Sequence, residues 1–245
     1  MRVKNKKVLA SPFDCEYYGN YLTIWSAEMT VRVDLLISLD GFATTTDQTP
    51  DCPFEHDWSR LVGAYVATKT FQERVLHDTS GKGTTGLDDA YAKDYFENIG
   101  AEIMGAGKFG LHNFPDDPGW KGWWGDEPPF HCPVFVLTHT PRSSIEMSGG
   151  TTFHFLAADR ANVLRQATSV ANGKDVRIGG GPTVVRDFLK AGLVDRLHVA
   201  VAPILLGRGI CLWDDLRGLE AGYTVRSETS ESGTIHITFE RPVAC

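Results

Sequence analysis

The sequence has few cysteines, and they are not grouped. Its five cysteines are scattered along the chain, and none of them belongs to a CxxC pair. Zinc sites and small disulfide frameworks both need cysteines at close and regular spacing, so this distribution argues against both classes of site. We therefore expect reduced thiols, a cytoplasmic location and no metal site in this protein.

An excess of basic residues and a long apolar run are also missing. The formal net charge is −7 and the isoelectric point is about 5.6, whereas a general nucleic-acid-binding protein presents a basic surface. No apolar run approaches the roughly 20 residues that a membrane-spanning helix needs. We expect neither a nucleic acid nor a membrane as a partner.

Residues 1–29 differ from the rest of the sequence. They start with several basic residues and show no clean hydrophobic period, and Met29 directly precedes the first clear strand. The remaining length is enough for one large α/β domain with a well-buried core. We predict an N-terminal extension over residues 1–29, either disordered or not native to the protein, and a single domain over residues 30–245.

From residue 30 onward, apolar segments with strand character alternate with segments of helical period. This alternation predicts an α/β fold with a mainly parallel sheet covered on both faces, and a closing hairpin at residues 223–238 adds an antiparallel edge. The predicted strands are 31–39, 101–104, 133–138, 151–156, 176–178 and 197–204. The predicted helices are 58–76, 87–99, 158–171 and one that starts at Pro182.

The most informative segment is a glycine turn between a strand and a helix. Strand 176–178 runs into Gly179-Gly180-Gly181, and Pro182 then stands at the first helical turn. Glycines let a ligand approach the backbone, and a helix N-terminus presents free N–H groups and a positive dipole end. The order of these features favours a pyrophosphate site over glycines that only make tight turns.

A second glycine segment, GAGKFG at residues 105–110, also follows a strand. Its letters match a dinucleotide-binding Rossmann fingerprint, which needs a long helix behind the glycines. Pro115 and Pro118 cut any such helix short, so we favour a different phosphate-binding turn in which Lys108 pairs with a phosphate charge. The alternative is that Lys108 is merely solvated.

Polar residues follow two further strands at the edge where ligands lie in open α/β sheets. Arg142 follows shortly after Thr138, and the parallel N–H donors of its planar guanidinium suit a 2′-phosphate. The alternative is that Arg142 is simply exposed. Asp40 either contacts and protonates a heterocycle or makes the turn before Gly41. For the aromatic loop at residues 118–131, three interpretations are open. It lines a site for a flat ring, it lies at a subunit interface, or it packs into the core.

Together these segments resemble one known family. The sequence contains, in the order seen in the dihydrofolate-reductase-like superfamily, segments 37–42, 103–105, 134–142, 178–182, 192–195 and 203–209. The resemblance covers residues 30–240 and is most specific in the stretch IGGGPTVVRDFLKAGLVDRLHVAVAPILLGRG. Within the superfamily, the chain is similar to the reductase domain of the bacterial bifunctional deaminase–reductases of riboflavin synthesis and to its stand-alone relatives.

The resemblance implies a three-layer α/β/α fold around a mixed, mostly parallel sheet, with NADPH along the C-terminal sheet edge and a homodimeric assembly. Carried over by position, the pyrophosphate would lie on Gly179, Gly180, Gly181, Pro182 and Thr183. The second phosphate turn would comprise Gly105, Gly107 and Lys108. Thr138 and Arg142 would lie near the adenosine 2′-phosphate, and Asp40 would lie near the substrate ring.

We therefore predict an NADPH-dependent reductase that transfers hydride to a small pterin- or pyrimidine-like heterocycle, with Asp40 as the proton source. The family usually has Gly-Arg-x-Thr at the second turn, and its riboflavin-pathway members have a glutamate where this chain has Gly179. The changed second turn leaves the choice between NADPH and NADH open, and the missing glutamate argues against the riboflavin-pathway pyrimidine as the substrate. The alternatives are a nucleotide-binding module with little catalysis, a Rossmann-type dehydrogenase that uses residues 101–126, and a flavin-binding protein.

Overall fold

A nine-stranded mixed sheet forms the centre of the protein. The computed structural model describes residues 29–45, 48–49, 52, 56–110 and 113–242. The strands are β1 (Val31–Ser38), β2 (Ile99–Gly105), β3 (Pro133–Leu137), β4 (Ile145–Glu146), β5 (Thr152–Leu156), β6 (Asp175–Gly180), β7 (Arg196–Ala202), β8 (Thr224–Thr229) and β9 (Ile235–Glu240). The helices are α1 (His56–Val66), α2 (Lys69–Arg74), α3 (Leu87–Phe96), α4 (Ala106–Gly110), α5 (Arg160–Val170) and α6 (Pro182–Lys190).

The strands are arranged in the order β4-β5-β3-β2-β6-β1-β7-β9-β8. The six strands from β5 to β7 in this order pair in parallel, and the β8–β9 hairpin is antiparallel to β7. Strand β4, which has only two residues, adds an antiparallel pair at the other edge. The sequence pattern predicted the parallel centre and the closing hairpin but did not predict β4.

Helices cover both faces of the sheet. On one face, α5 and α6 bury Val163, Val185 and Phe188 against apolar residues of the central strands. On the other face, Leu61 and Val62 of α1 pack against β1 and β7. The predicted three-layer α/β/α architecture, with a mostly parallel sheet and an antiparallel C-terminal edge, is therefore confirmed.

The predicted helix 58–76 is divided into two helices at Thr68. The Thr68 side chain accepts a hydrogen bond from the backbone N–H of Phe71, which caps the start of α2. The Lys69 N–H donates to the carbonyl of Thr84, 2.9 Å away, instead of continuing the first helix. The continuous helix was therefore a wrong prediction, because a threonine cap and a distant backbone acceptor compete with the helical pattern.

The predicted extension over residues 1–29 lies outside the described residues except for Met29, which packs against the main core. Within the described ranges, no helix has the length and apolar character needed to cross a membrane.

Candidate active site

A cleft opens where β1 and β6 separate. The two strands pair only from Val31 to Val33, opposite Val176 to Ile178, whereas β1 stays paired with β7 as far as Ser38. From β1 the chain runs through α1–α3 to β2 on one side, and from β6 it runs through α6 to β7 on the other. Such a divergence is where open α/β sheets bind ligands, and the cleft here has a volume of about 700 Å³.

The first glycine turn lines one end of this cleft. Gly180 has a φ of +112°, which favours glycine, and its peptide bond to Gly181 is cis. Gly181 is the N-cap of α6 and has no side chain to occupy the first N–H groups of that helix. A Cβ atom on Gly181 would meet no protein atom within 4 Å, so the space in front of the turn is open. This end of the cleft therefore presents backbone donors to a ligand.

The second glycine turn lies beside the first, because β2 pairs with β6. A Cβ atom on Gly105 would lie 2.9 Å from Cγ2 of Val184, so only glycine allows this close packing against α6. The space around Gly107 is open. Lys108 Nζ donates a 2.5 Å hydrogen bond to the carbonyl of Gly179, and this bond joins the two turns. The structure thus brings together the two sets of residues that the sequence predicted for phosphate binding.

A buried ion cluster lies beneath these turns. Glu102 and Arg177 are fully buried on adjacent strands, and the Arg177 Nε donates to a Glu102 carboxylate oxygen at 2.9 Å. Lys108 Nζ lies 3.4 Å from the other carboxylate oxygen. Burial lowers the pKa of Lys108, while the Glu102 charge opposes that shift. A Cβ atom on Gly179 would lie 2.0 Å from Glu102 Oε1, so the carboxylate occupies the space of any side chain at that position.

Sequence reasoning did not identify Glu102 and Arg177 as parts of this site. The available signal was a charged residue inside each of two strands that read as buried, AEIM and VRI. A charge in the interior of a central strand must be paired, because burying an unpaired charge is costly. Arg177 also stacks 3.7 Å from the centre of the Tyr95 ring, which connects the cluster with α3.

Another part of the cleft, which we call its aromatic end, is lined mainly by side chains of α1, α2 and α3. Burial raises the pKa of both Tyr65 and Tyr95, so these phenols stay protonated and can donate hydrogen bonds. Tyr65 and Tyr95 lie edge to face, with ring centres 6.1 Å apart. The aromatic residues on this lining are Trp58, Tyr65, Phe71, Tyr91, Tyr95 and Phe96. Such a surface suits a flat ring.

Two histidines form the polar floor of the aromatic end. His198 of β7 and His236 of β9 lie side by side, with 3.0 Å between His198 Nε2 and His236 Nδ1. Asp34 of β1 contacts His198, and Asp88 of α3 contacts His236. Burial raises the pKa of Asp34, but the His198 hydrogen bond and the Arg32 charge reverse this and hold it well below its usual range. None of these four residues was among the predicted site residues.

Asp40, the predicted proton source, does not line the cleft. Its carboxylate accepts hydrogen bonds from the Ser38 hydroxyl at 2.5 Å and from the Gly207 N–H at 2.7 Å. Partial burial raises the pKa of Asp40, but these bonds, with a third from Leu206, outweigh it and lower the pKa. A carboxylate held in the ionised form is a poor proton donor, so we correct this assignment and give Asp40 the turn-making role.

Arg142 is also placed away from the cleft lining. Its guanidinium donates to the carbonyls of Pro118 and Trp120 and packs 4.5 Å from the centre of the Phe155 ring. These contacts anchor the aromatic loop, so we withdraw Arg142 from the proposed 2′-phosphate site. Thr138 likewise serves its own turn, because its hydroxyl accepts from the Thr140 N–H. A loop position after a strand does not reveal such local partners.

The aromatic loop at residues 118–131 both packs into the core and reaches the cleft. Trp124 packs against Phe130 and Phe153 in a second apolar cluster. The indole N–H groups of Trp120 and Trp123 donate to the carbonyls of Phe109 and Lys108. Trp123 and Trp124 also line the cleft beside the second glycine turn. The interpretations as core and as site wall are thus both consistent with the structure.

Comparison with known families identifies this architecture. The RibD C-terminal domain family matches residues 29–235. The chain belongs to this family. A Shewanella sp. PV-4 protein named for riboflavin biosynthesis has a similar fold, with a TM-score of 0.53, 20% identity, and coverage of 88% of this chain and 100% of that one.

Two other similarities are weaker. A pyrimidine reductase-like protein from Corynebacterium diphtheriae matches with 16% identity and a TM-score of 0.47, over 91% of this chain and 96% of that one. The uncharacterized protein YyaP of Bacillus subtilis (strain 168) is 29% identical over 80 residues. That alignment spans 32% of this chain and 43% of YyaP, less than half of the length of either protein. Membership of the RibD C-terminal domain family supports a reductase-type activity for this chain.

Proposed function

We propose that this protein is an NADPH-dependent reductase of a small, flat heterocycle. The observation that carries the proposal is that one cleft is lined both by two joined glycine turns and by a group of aromatic side chains. A dinucleotide needs a backbone cradle for its phosphates and an adjoining space for the reacting rings. The family supports the reductase class, and the cofactor and substrate are part of this proposal.

The residues at the glycine end fit a pyrophosphate. Gly181 and Gly107 leave open space into which a phosphate can approach the backbone. The start of α6 has no side-chain cap, so its N–H groups and its positive dipole end are available to an anion. The residues that would hold the cofactor are Gly105, Gly107, Gly179, Gly180, Gly181, Pro182 and Thr183, and Lys108 would support them by joining the two turns.

The chain's own contribution to the reaction is orientation and protonation. When bound, NADPH supplies a hydride to an electrophilic C=N or C=O bond. The aromatic lining, including Trp58 and Tyr95, holds the flat ring and excludes water from it. The buried Glu102–Arg177 pair holds the two glycine turns in fixed positions relative to each other while the ligand binds.

Titration with NADPH and with NADH, followed by quenching of tryptophan fluorescence, tests this proposal. Trp58, Trp123 and Trp124 line the cleft and will report on occupancy. We expect micromolar NADPH binding that weakens by about tenfold or more in Gly181→Ala, because the added methyl group fills the phosphate space. Gly181 is a better position than Gly180, whose φ of +112° would strain any side chain.

Gly222→Ala is the matched control, since a Cβ atom there meets nothing within 4 Å and the residue does not line the cleft. It should bind NADPH like the unmodified protein. Equal affinity in Gly181→Ala would overturn the phosphate assignment. Binding of NADPH without its oxidation by any pterin, pyrimidine or flavin would favour a nucleotide-binding module, and a yellow purified protein would favour a flavin-binding one.

A further inference from the structure

Four side chains from four different elements form one hydrogen-bonded row in the cleft. Asp34 Oδ1 lies 3.3 Å from His198 Nδ1, His198 Nε2 lies 3.0 Å from His236 Nδ1, and His236 Nε2 lies 2.9 Å from Asp88 Oδ1. The side chains of His198 and His236 are 7% and 4% exposed, so water does not compete for these contacts. We call these four residues the Asp–His–His–Asp row.

The number of protons in this row follows from its geometry. Each of the three contacts needs one hydrogen between its two atoms, and ionised carboxylates carry none. Two neutral imidazoles have only two N–H groups between them, so closing all three contacts takes one further proton. A carboxylate stands at each end, and these two negative charges favour keeping that proton on the histidine pair.

A second extra proton is disfavoured. It would place two positive rings in contact and set an N–H group against an N–H group across the 3.0 Å gap. Burial lowers the pKa of His236, Asp88 opposes this shift, and His198 adds to it. The ring of Tyr91 lies flat over both histidines at 4.2 and 4.1 Å, which keeps them coplanar. The row is thus built to gain and lose one proton.

The surrounding charges belong to several elements. Arg32 donates to Asp34, and the Tyr91 hydroxyl donates to Glu228 at 2.5 Å. The charged and titratable groups around the row are Arg32 on β1, Tyr65 on α1, Tyr91 and Asp94 on α3, Arg177 on β6, Arg196 on β7 and Glu228 on β8. No second histidine pair with hydrogen-bonded rings occurs in the described ranges.

The row also connects the cleft with a second opening. All four members line the main cleft. Asp88 in addition lines a smaller pocket of about 260 Å³, together with Asp89 and Glu231. Asp34 stands at the first β1 residue that no longer pairs with β6, at the point where the cleft begins. A proton that is given up at the Asp34 end of the row can therefore be replaced at the Asp88 end.

We propose that the Asp–His–His–Asp row stores one proton and is the proton source of the cleft. This inference rests on the proposed function. In the reduction, a bound reduced nicotinamide would supply the hydride for the new C–H bond, and the histidine pair would give its proton to the heteroatom whose double bond to carbon is broken. The row then takes up a proton from water through Asp88, so that charge and hydrogen balance over one turnover.

The first test is a pH titration of the histidine rings by ¹⁵N NMR, on the full-length protein without any ligand. We expect His198 and His236 to take up one proton as a pair, with a single shared midpoint. Asp88→Asn should move that midpoint to lower pH by about one unit, because a nearby negative charge is lost. His139→Gln, at an exposed position, should leave it unchanged.

Two independent midpoints would contradict the proposal that the row stores one proton. So would two rings that both stay neutral throughout the titration. His236→Gln offers a second variant, since its amide keeps hydrogen bonds to both neighbours but has no proton to release. In this variant the midpoint shared by the two histidine rings should be lost. If the unmodified protein does not bind NADPH, the proposed function is refuted, while the NMR result on the row stays valid.

If a pterin, pyrimidine or flavin proves to be a substrate that oxidises NADPH, the single-turnover rate gives a further readout. His236→Gln should lower that rate by about tenfold or more near pH 8 and by less at acid pH, where solvent protons are available. A rate that falls equally at all pH values would indicate a merely positioning role for the row and would contradict the proposal.

Discussion

The two ends of the cleft are built from different parts of the chain. At the glycine end the ligand-facing surface includes the backbone of the two turns, with Trp123 and Trp124 beside it, and the charges of Glu102, Arg177 and Lys108 are paired beneath the turns. At the aromatic end the surface consists of side chains, and its polar groups are histidines and carboxylates in a row. The glycine end therefore suits a constant ligand part such as a pyrophosphate, and the aromatic end suits recognition and proton transfer.

This difference indicates where substitutions should act. A change beneath the glycine turns removes support from a buried charge and should mainly affect folding stability. A change at the aromatic end alters groups that gain or lose protons, so its effect should depend on pH. The predictions below separate these two kinds of response.

The largest effect is expected for Glu102→Ala. It leaves the buried Arg177 guanidinium without its carboxylate partner, and we expect the free energy of unfolding to fall by about 3–5 kcal/mol. Urea unfolding followed by tryptophan fluorescence measures this change. Glu97→Ala, at an exposed position after α3, should change it by less than about 0.5 kcal/mol. A loss as small as that control would mean that the cluster does not support the turns.

The same contrast explains what the sequence could predict. The glycine turns are local patterns, in which strand, glycines, proline and helix follow one another, so Gly179 to Thr183 could be named in advance. The Asp–His–His–Asp row is assembled by strand register, in which Asp34 is the β1 partner of His198 across 164 positions of sequence. No local pattern announces such a pairing.

Part of the missed signal was nevertheless present. In β1 the letters VRVDLL alternate apolar and charged residues, which marks a strand with one face toward polar partners. The alternation also directs successive side chains of β1 to opposite faces of the sheet. Val31 and Val33 face α5 and α6, whereas Arg32 pairs with Asp94 of α3. Asp40 and Arg142 were misjudged for another reason: their partners are backbone atoms, which no sequence pattern identifies.

The next largest effect is expected for Asp34→Asn at the aromatic end. Because the folded-state pKa of Asp34 is depressed, its contribution to stability is present above the unfolded pKa of about 3.9 and is lost as the pH falls below it. We expect a loss of about 2 kcal/mol at neutral pH that narrows toward zero below about pH 3. Urea unfolding at neutral and acid pH measures both values. A difference that stays constant with pH would contradict the ionised pairing.

Lys108→Met tests the link between the two glycine turns. It removes the Nζ donor to the Gly179 carbonyl while keeping most of the apolar side-chain volume. We expect stability to fall by about 1–2 kcal/mol and NADPH affinity to fall by about tenfold. Lys82→Met, an exposed position, is the control and should change neither quantity. Unchanged NADPH binding in Lys108→Met would separate the second turn from the cofactor site.

The smallest effect is expected for Tyr91→Phe, which distinguishes the ring of Tyr91 from its hydroxyl. The hydroxyl donates to Glu228 at an exposed position, so its removal should lower stability by only about 0.5 kcal/mol. The phenyl ring keeps its place over His198 and His236, and their common NMR midpoint should stay the same. Tyr91→Ala removes the cover, and water should then reach the imidazoles and make them titrate separately. If Phe and Ala at this position split the midpoint equally, the row would depend on the hydroxyl rather than on burial beneath the ring.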